Sequence, residues 1–304
     1  MKQKFLLTLS MLLLATSCNN NNDNLTILTP TGAPSLAFYN YYNDDNYQTN
    51  STPINIVSQM TENGDDIIVI DTIKGIQTIN EGAPYKLACN ITFGNFYIAS
   101  TGNDDNNIMD KDDEIVIFGK NQTPDKIFNL LYGSDYNITY VPAVSDASKC
   151  LISGKTLDLK KDVDYVFIAQ PVLTNALNNN KNASIYQNIQ ELYTQKTQKE
   201  LIQAGLFVKN GTSKRQINKF LDNLENDINV LLDNPSILNE KTKDIDETLL
   251  TNKIGIKTAL AIKTIENNNS IGLGFKMASD NKDNINEFIK LFNLTIDNEN
   301  IYQK

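Results

Sequence analysis

A chain of 304 residues is long enough for two domains of ordinary size. Its 27 basic and 36 acidic side chains leave a net charge of −9 and a pI near 4.7, a field that repels phosphate backbones and argues against nucleic acid as a partner. With no histidine and no tryptophan, Ser-His and Cys-His nucleophile pairs and His-containing zinc sites are excluded, and neither an enzymatic activity nor a cofactor is expected.

The chain opens with Lys2 and Lys4, an apolar run over 5–15, and the small residues Ala15-Thr16-Ser17 ahead of Cys18. That order predicts an export signal over 1–17. The run is short for the ~30 Å hydrocarbon core, which makes an uncleaved membrane anchor the weaker alternative. The segment resembles a bacterial lipobox, departing from it at Ala15, where leucine is commoner. The resemblance implies that Cys18 is lipidated and holds the chain at the extracytoplasmic face of the cell membrane. Residues 18–24, rich in asparagine, have nothing to bury and read as a tether.

Beyond the tether, β-type runs at 25–28, 67–71, 85–91, 96–100, 114–119, 137–141, 165–169 and 206–209 alternate with segments of helical spacing. The helical segments are 34–42, 72–80, 124–133, 145–153, 171–177, 184–199, 213–232, 244–265 and 282–292, several opened by Ser, Thr or Pro. The pattern is α/β. No period of 20 to 50 residues repeats, which excludes a solenoid. The last third is nearly all helix and carries most of the Lys/Glu pairs, as exposed amphipathic helices packed on a finished sheet would. Cys89 and Cys150 lie in apolar-patterned segments, so one disulfide and two buried free thiols are both open readings.

In open α/β sheets, ligands bind outside the carboxyl ends of the strands, so the residues that follow each run are the candidates. They are Thr31, Gly32 and Ala33; Thr72; Phe93, Gly94 and Asn95; Gln122 and Thr123; and Gln170. All are neutral and most carry hydroxyl or amide groups, whereas a catalytic cleft needs groups whose pKa values are driven apart. They describe a recognition surface for a small, weakly charged or zwitterionic molecule. If Pro34 is the first helical residue, Ala33 is the cap and leaves the amides of Ser35 and Leu36 free for a ligand. Thr123 is expected to cap the helix that Pro124 begins. Phe93 is placed either to stack on a flat ligand or, more commonly for an aromatic there, in the core. Asn103, Asp105, Asn107 and Glu114 have the spacing of a calcium loop, but Ile108 occupies the turn position that wants glycine, so a solvated loop without metal is expected.

Taken together, Pro30-Thr31-Gly32-Ala33-Pro34-Ser35-Leu36-Ala37, Ala83-Pro84-Tyr85-Lys86-Leu87-Ala88 leading to Thr92-Phe93-Gly94-Asn95-Phe96-Tyr97, the stretch from Gly119 to Pro124, Ala169-Gln170-Pro171 and Ala204-Gly205-Leu206-Phe207-Val208 resemble the substrate-binding proteins of bacterial ABC importers. The resemblance is to the type 2 periplasmic-binding class, near its nitrate/sulfonate/taurine and thiamine-precursor group. It implies a two-lobed α/β fold with a central mixed sheet in each lobe. The first lobe would take 25–100 and 205–304 and the second 101–204, with crossings near Ser100 and Ala204. It further implies a monomer that captures a small-molecule solute by hinge closure and hands it to a membrane permease with its ATPase. Where that family often has Glu-Pro, this chain has Gln170-Pro171, which removes a carboxylate for an ammonium group. A surface lipoprotein of adhesive or structural role on the same scaffold is the alternative.

Overall fold

The computed structural model describes residues 25–103 and 108–304; the signal segment, Cys18 and the tether lie outside them. Backbone hydrogen bonds sort the strands into two mixed sheets, one of six strands and one of five. The first half of the chain runs β1 (Ile27–Pro30), α1 (Ala33–Leu36), β2 (Tyr47–Asn50), α2 (Pro53–Thr61), β3 (Ile67–Asp71), α3 (Thr72–Asn80), β4 (Tyr85–Thr92) and β5 (Phe96–Ser100). It continues through β6 (Glu114–Phe118), α4 (Thr123–Tyr132), β7 (Asn137–Val141), α5 (Val144–Ser153), β8 (Tyr165–Ala169), α6 (Val172–Asn179), β9 (Ser184–Asn188) and α7 (Ile189–Thr197). The return leg is β10 (Ala204–Lys209), α8 (Lys214–Asp233), α9 (Ile237–Thr242), α10 (Glu247–Ile254), α11 (Thr258–Glu266), β11 (Leu273–Met277) and α12 (Lys282–Lys290).

The first sheet has the order β11-β4-β10-β3-β1-β2 and the second β7-β6-β8-β5-β9. β5 pairs with β8 and β9, so the chain leaves the first sheet between Thr92 and Phe96, ahead of the crossing expected near Ser100. The return crossing precedes Ala204, whose strand β10 lies antiparallel between β3 and β4. The two crossings touch each other: Phe93 and Ile202 form an isolated antiparallel bridge, and the Gly94 amide donates to the Leu201 carbonyl at 2.9 Å.

Central strands are apolar on both sides because both sides are covered. In β8, Tyr165 and Phe167 face one apolar cluster while Val166 and Ile168 face another. On α8 the buried residues Ile217, Phe220, Leu221, Leu224, Ile228 and Leu231 recur at helical spacing and lie against the first sheet. One cluster joins the lobes, running from Ile68 and Phe207 through Phe93, Phe96, Ile189, Leu201 and Ile202 to Ile117 and Phe167. Cys89 and Cys150 are both free and buried, in the separate cores of the first and second lobe, which resolves the open reading against a disulfide.

Several elements depart from expectation. β1 lies two residues later than the run at 25–28. The edge strands β2 and β11 are new, since half-exposed residues such as Gln48 and Lys276 break any apolar pattern; α2 is new as well. The helix expected at 184–199 begins instead at Ile189, where Asn188 accepts from the amides of Gln190 and Glu191, and the residues before it pair as β9. The helix expected at 244–265 is two helices, parted at Gly255, whose φ of 84° is the left-handed conformation that ends α10.

Candidate functional site

β1, β3 and β4 of the first sheet share one direction, as do β6 and β8 of the second, and the carboxyl edges of the two sets meet. The contact is direct. Asp71, at the end of β3, caps α3 by accepting from the Lys74 amide at 3.0 Å, and its other carboxylate oxygen accepts from the Thr123 hydroxyl at 3.2 Å. Thr123 opens α4 in the opposite lobe, so this bond spans the cleft. Thr123 therefore does not cap its own helix; Gln122 holds the cap position without a side-chain bond and stays exposed. The Tyr97 hydroxyl makes a second span, donating to the Ser270 carbonyl at 3.1 Å.

Behind Asp71 lies a layer of buried neutral side chains. The Thr72 amide donates to the Gln203 carbonyl at 2.7 Å, and its hydroxyl accepts from Asn90 Nδ2 at 3.1 Å. Asn95, in the first crossing, is tied on three sides: its amide donates to Gln203 Oε1 at 3.3 Å, its Nδ2 to the Gln170 carbonyl at 3.2 Å, and its carbonyl accepts from the Gln170 amide at 2.9 Å. Gln170 Oε1 accepts from the amide and hydroxyl of Thr174, and the peptide from Gln170 to Pro171 is cis. Asn95 Oδ1 and Asn90 Oδ1 are enclosed without a donor. Leaving such an oxygen unsatisfied costs about 1–3 kcal/mol, which makes these two atoms conspicuous.

Electrostatically the layer is quiet. Burial raises the Asp71 carboxyl above its ordinary value, opposed by the Lys74 amide and the Thr123 hydroxyl. Asp125 is held by neutral donors, the Asn121 amide at 2.7 Å and the Tyr140 hydroxyl at 2.9 Å. Tyr140 is pushed up to about 12, chiefly by burial and then by that bond. Lys253 lies near the loop after β1, its Nζ 5.2 Å from the centre of the Tyr47 ring, and burial lowers its pKa.

Of the residues expected from sequence, Thr72, Asn95, Thr123 and Gln170 are joined through Asp71 and Gln203 into this layer, while Gly94 lends only backbone to the crossing. Thr31, Gly32 and Ala33 form a separate part of the same edge. There the Thr31 hydroxyl donates to the Asn252 carbonyl and the Gly32 amide to the Lys253 carbonyl. Gly32, not Ala33, is the cap of α1, with a φ of 116° that favours glycine, and the Ser35 amide is not free because it donates to the Gly32 carbonyl at 3.0 Å. Phe93 is a core residue, 7% exposed, with Lys276 Nζ 5.4 Å from its ring centre. Asp71, Asn90 and Gln203 were not anticipated as site residues. Gln203 immediately precedes β10, and because β10 is antiparallel to its neighbours, its beginning lies where their ends do.

Other features lie away from this edge. Asp105 and Asn107 of the calcium-like spacing fall outside the described residues. Asn103 donates to the Gly154 and Val163 carbonyls, and Glu114 accepts from Asn137, Thr139 and Lys161 at the opposite end of β6. Among the described residues no group of three His, Cys, Asp or Glu could hold a metal ion, and no helix is long and apolar enough to cross a membrane. A surface hollow lined by Lys86, Gly211, Lys214 and Tyr302 lies where β4 begins and β10 ends, the far edge of the first sheet.

Two mixed sheets, two crossings and facing carboxyl edges define the periplasmic-binding-protein fold. Solved structures that resemble the chain include proteins of ABC transport. A structure described as an ABC transporter from Parabacteroides distasonis is 18% identical, with 92% of this chain and 99% of that one covered and a TM-score of 0.74. The periplasmic aliphatic sulphonate binding protein SsuA from Escherichia coli is 14% identical over 92% of each chain, with a TM-score of 0.64. The ligand-binding component of an ABC-type import system from Staphylococcus aureus, solved with zinc bound, is 8% identical over 92% of this chain and 96% of that one, with a TM-score of 0.62. No family model matches the sequence, and no curated protein matches it.

Proposed function

We propose that this chain is the solute-binding lipoprotein of an ABC importer, without enzymatic activity, which captures a small molecule between its lobes and delivers it to a membrane permease. The observation that carries this reading is the meeting of two carboxyl edges, joined by Asp71 and Thr123, across lobes between which the chain passes at a pair of touching crossings. A guest that contacts both lobes holds them shut by its greater affinity for that form. Thr31, Gly32, Ala33 and Thr72 of the first lobe, Gly94 and Asn95 of the crossing, and Gln122, Thr123 and Gln170 of the second are the proposed contact residues, with Asn90 and Gln203 added. Phe93 supports them from the core. The neutral layer favours an uncharged or zwitterionic guest over a polyanion. Lipid on Cys18 anchors the chain at the extracytoplasmic face of the membrane, and the protein acts as a monomer.

A thermal-shift screen with sulphonates, nitrate, amino acids, nucleobases and thiamine precursors, followed by small-angle scattering of each stabilised complex, tests the reading. Binding accompanied by a fall in radius of gyration is expected. A rigid body that no solute stabilises or compacts would overturn it and favour an adhesive or structural role. Replacing Cys18 by Ala is expected to move the protein from the membrane fraction to the soluble extracytoplasmic fraction.

A further inference from the structure

The chain holds two Asn-Gly pairs, Asn63-Gly64 and Asn210-Gly211, and the fold treats them oppositely. An asparagine followed by glycine is open to attack on its side-chain amide carbon by the next main-chain nitrogen, because glycine has no Cβ to obstruct the approach. The nitrogen has to be free for this. In Gly64 it is not: its amide donates to the Gln59 carbonyl at 2.8 Å, its carbonyl accepts from Lys209 Nζ at 2.9 Å, and a Cβ there would fall 2.3 Å from Gln59 Oε1. Gly211 is exposed in the turn between β10 and α8, with a φ of 88° and nothing within 4 Å of where a Cβ would stand. Among the described residues its amide has no acceptor, and the exposed Asn210 side chain has no hydrogen-bond partner. The turn itself is anchored on both sides of that peptide, by the Asn210 amide on the Pro84 carbonyl at 2.8 Å and the Thr212 amide on the Lys209 carbonyl at 3.3 Å.

We infer that Asn210 is a site of spontaneous deamidation in the folded protein, while Asn63 is protected. The Gly211 nitrogen bonds to Asn210 Cγ and gives its proton to solvent; the Cγ–Nδ2 bond breaks and ammonia leaves, which closes a succinimide ring. Water then opens the ring at either carbonyl. One opening yields aspartate and the other isoaspartate, in which the main chain runs through Cβ. Either product brings a new carboxylate to the hollow that Asn210 lines with Lys86, Lys209 and Lys214, where Glu299 is the one acid among the lining residues. Isoaspartate also lengthens the link between β10 and α8 by one atom. The same ring closure at Asn63 must first break the Gly64 bond to Gln59, which the fold retains.

The test is to incubate the full chain at physiological temperature in mildly alkaline buffer, once folded and once in denaturant, and to follow the peptides that carry Asn63 and Asn210 by mass spectrometry. In denaturant the two sites are expected to react at comparable rates, since both precede glycine. In the folded chain Asn210 is expected to react roughly fivefold or more faster than Asn63, the factor that one retained hydrogen bond supplies. Ion exchange of the native protein is expected to show a growing, more acidic species, and Asn210→Gln, which keeps an amide but cannot close the five-membered ring, is expected to abolish it. An intact Asn210 in the folded chain, equal folded rates at the two sites, or an acidic species that persists in Asn210→Gln would overturn the inference.

Discussion

Asp71 does two things with one carboxylate: one oxygen closes the first turn of α3 through the Lys74 amide and the other reaches Thr123 in the opposite lobe. Because burial raises its pKa above the value near 3.9 typical of an unfolded chain, the folded protein holds this proton more tightly than the unfolded one. Its contribution to stability is therefore complete below about pH 4 and is lost as pH rises through the folded value. Asp71→Asn, which retains an oxygen for Lys74, is expected to flatten that decline in urea melts taken from roughly pH 4 to 7. Thr123→Val keeps the volume and removes the hydroxyl. A hydrogen bond to a carboxylate contributes about 1.5–3 kcal/mol, so if the lobes hinge as proposed, the ratio of closed to open form should fall at least roughly tenfold, read as a larger radius of gyration in scattering.

At the scale of elements, α3 lies against β10 at a distance only glycine permits. A Cβ on Gly75 would fall 2.1 Å from the tip of the Phe207 ring, which is fully buried and cannot withdraw. Gly75→Ala is expected to destabilise the protein by about 1–3 kcal/mol in thermal melts, and Phe207→Leu should restore part of the loss when combined with it. Gly272 is tighter still: its φ is +70°, and a Cβ there would lie 1.7 Å from the Phe93 carbonyl oxygen, so Gly272→Ala should displace the first crossing itself. Which elements the sequence revealed follows from similar reasons. β3, β8 and most of β10 were legible because central strands are apolar on both faces, whereas β2 and β11, at the sheet edge, present polar residues to water. Thr72, Asn95, Thr123 and Gln170 were legible as strand-end residues. Gln203 was not, because strand direction is a property of the sheet and cannot be read from β10 alone.

Across the whole molecule, the apolar cluster through Phe93, Phe96, Leu201 and Ile202 makes the two lobes share part of one core, while each also keeps a core of its own. Cys89 and Cys150 sit in those private cores, and burial pushes both thiols above their ordinary pKa, so neither offers appreciable thiolate while folded. They are therefore a matched pair of clocks. A chromogenic alkylating reagent should find each sulfur only when its own half comes apart. The shared packing predicts that both are consumed with a single time constant in mild denaturant; two distinct time constants would mean that the halves melt independently.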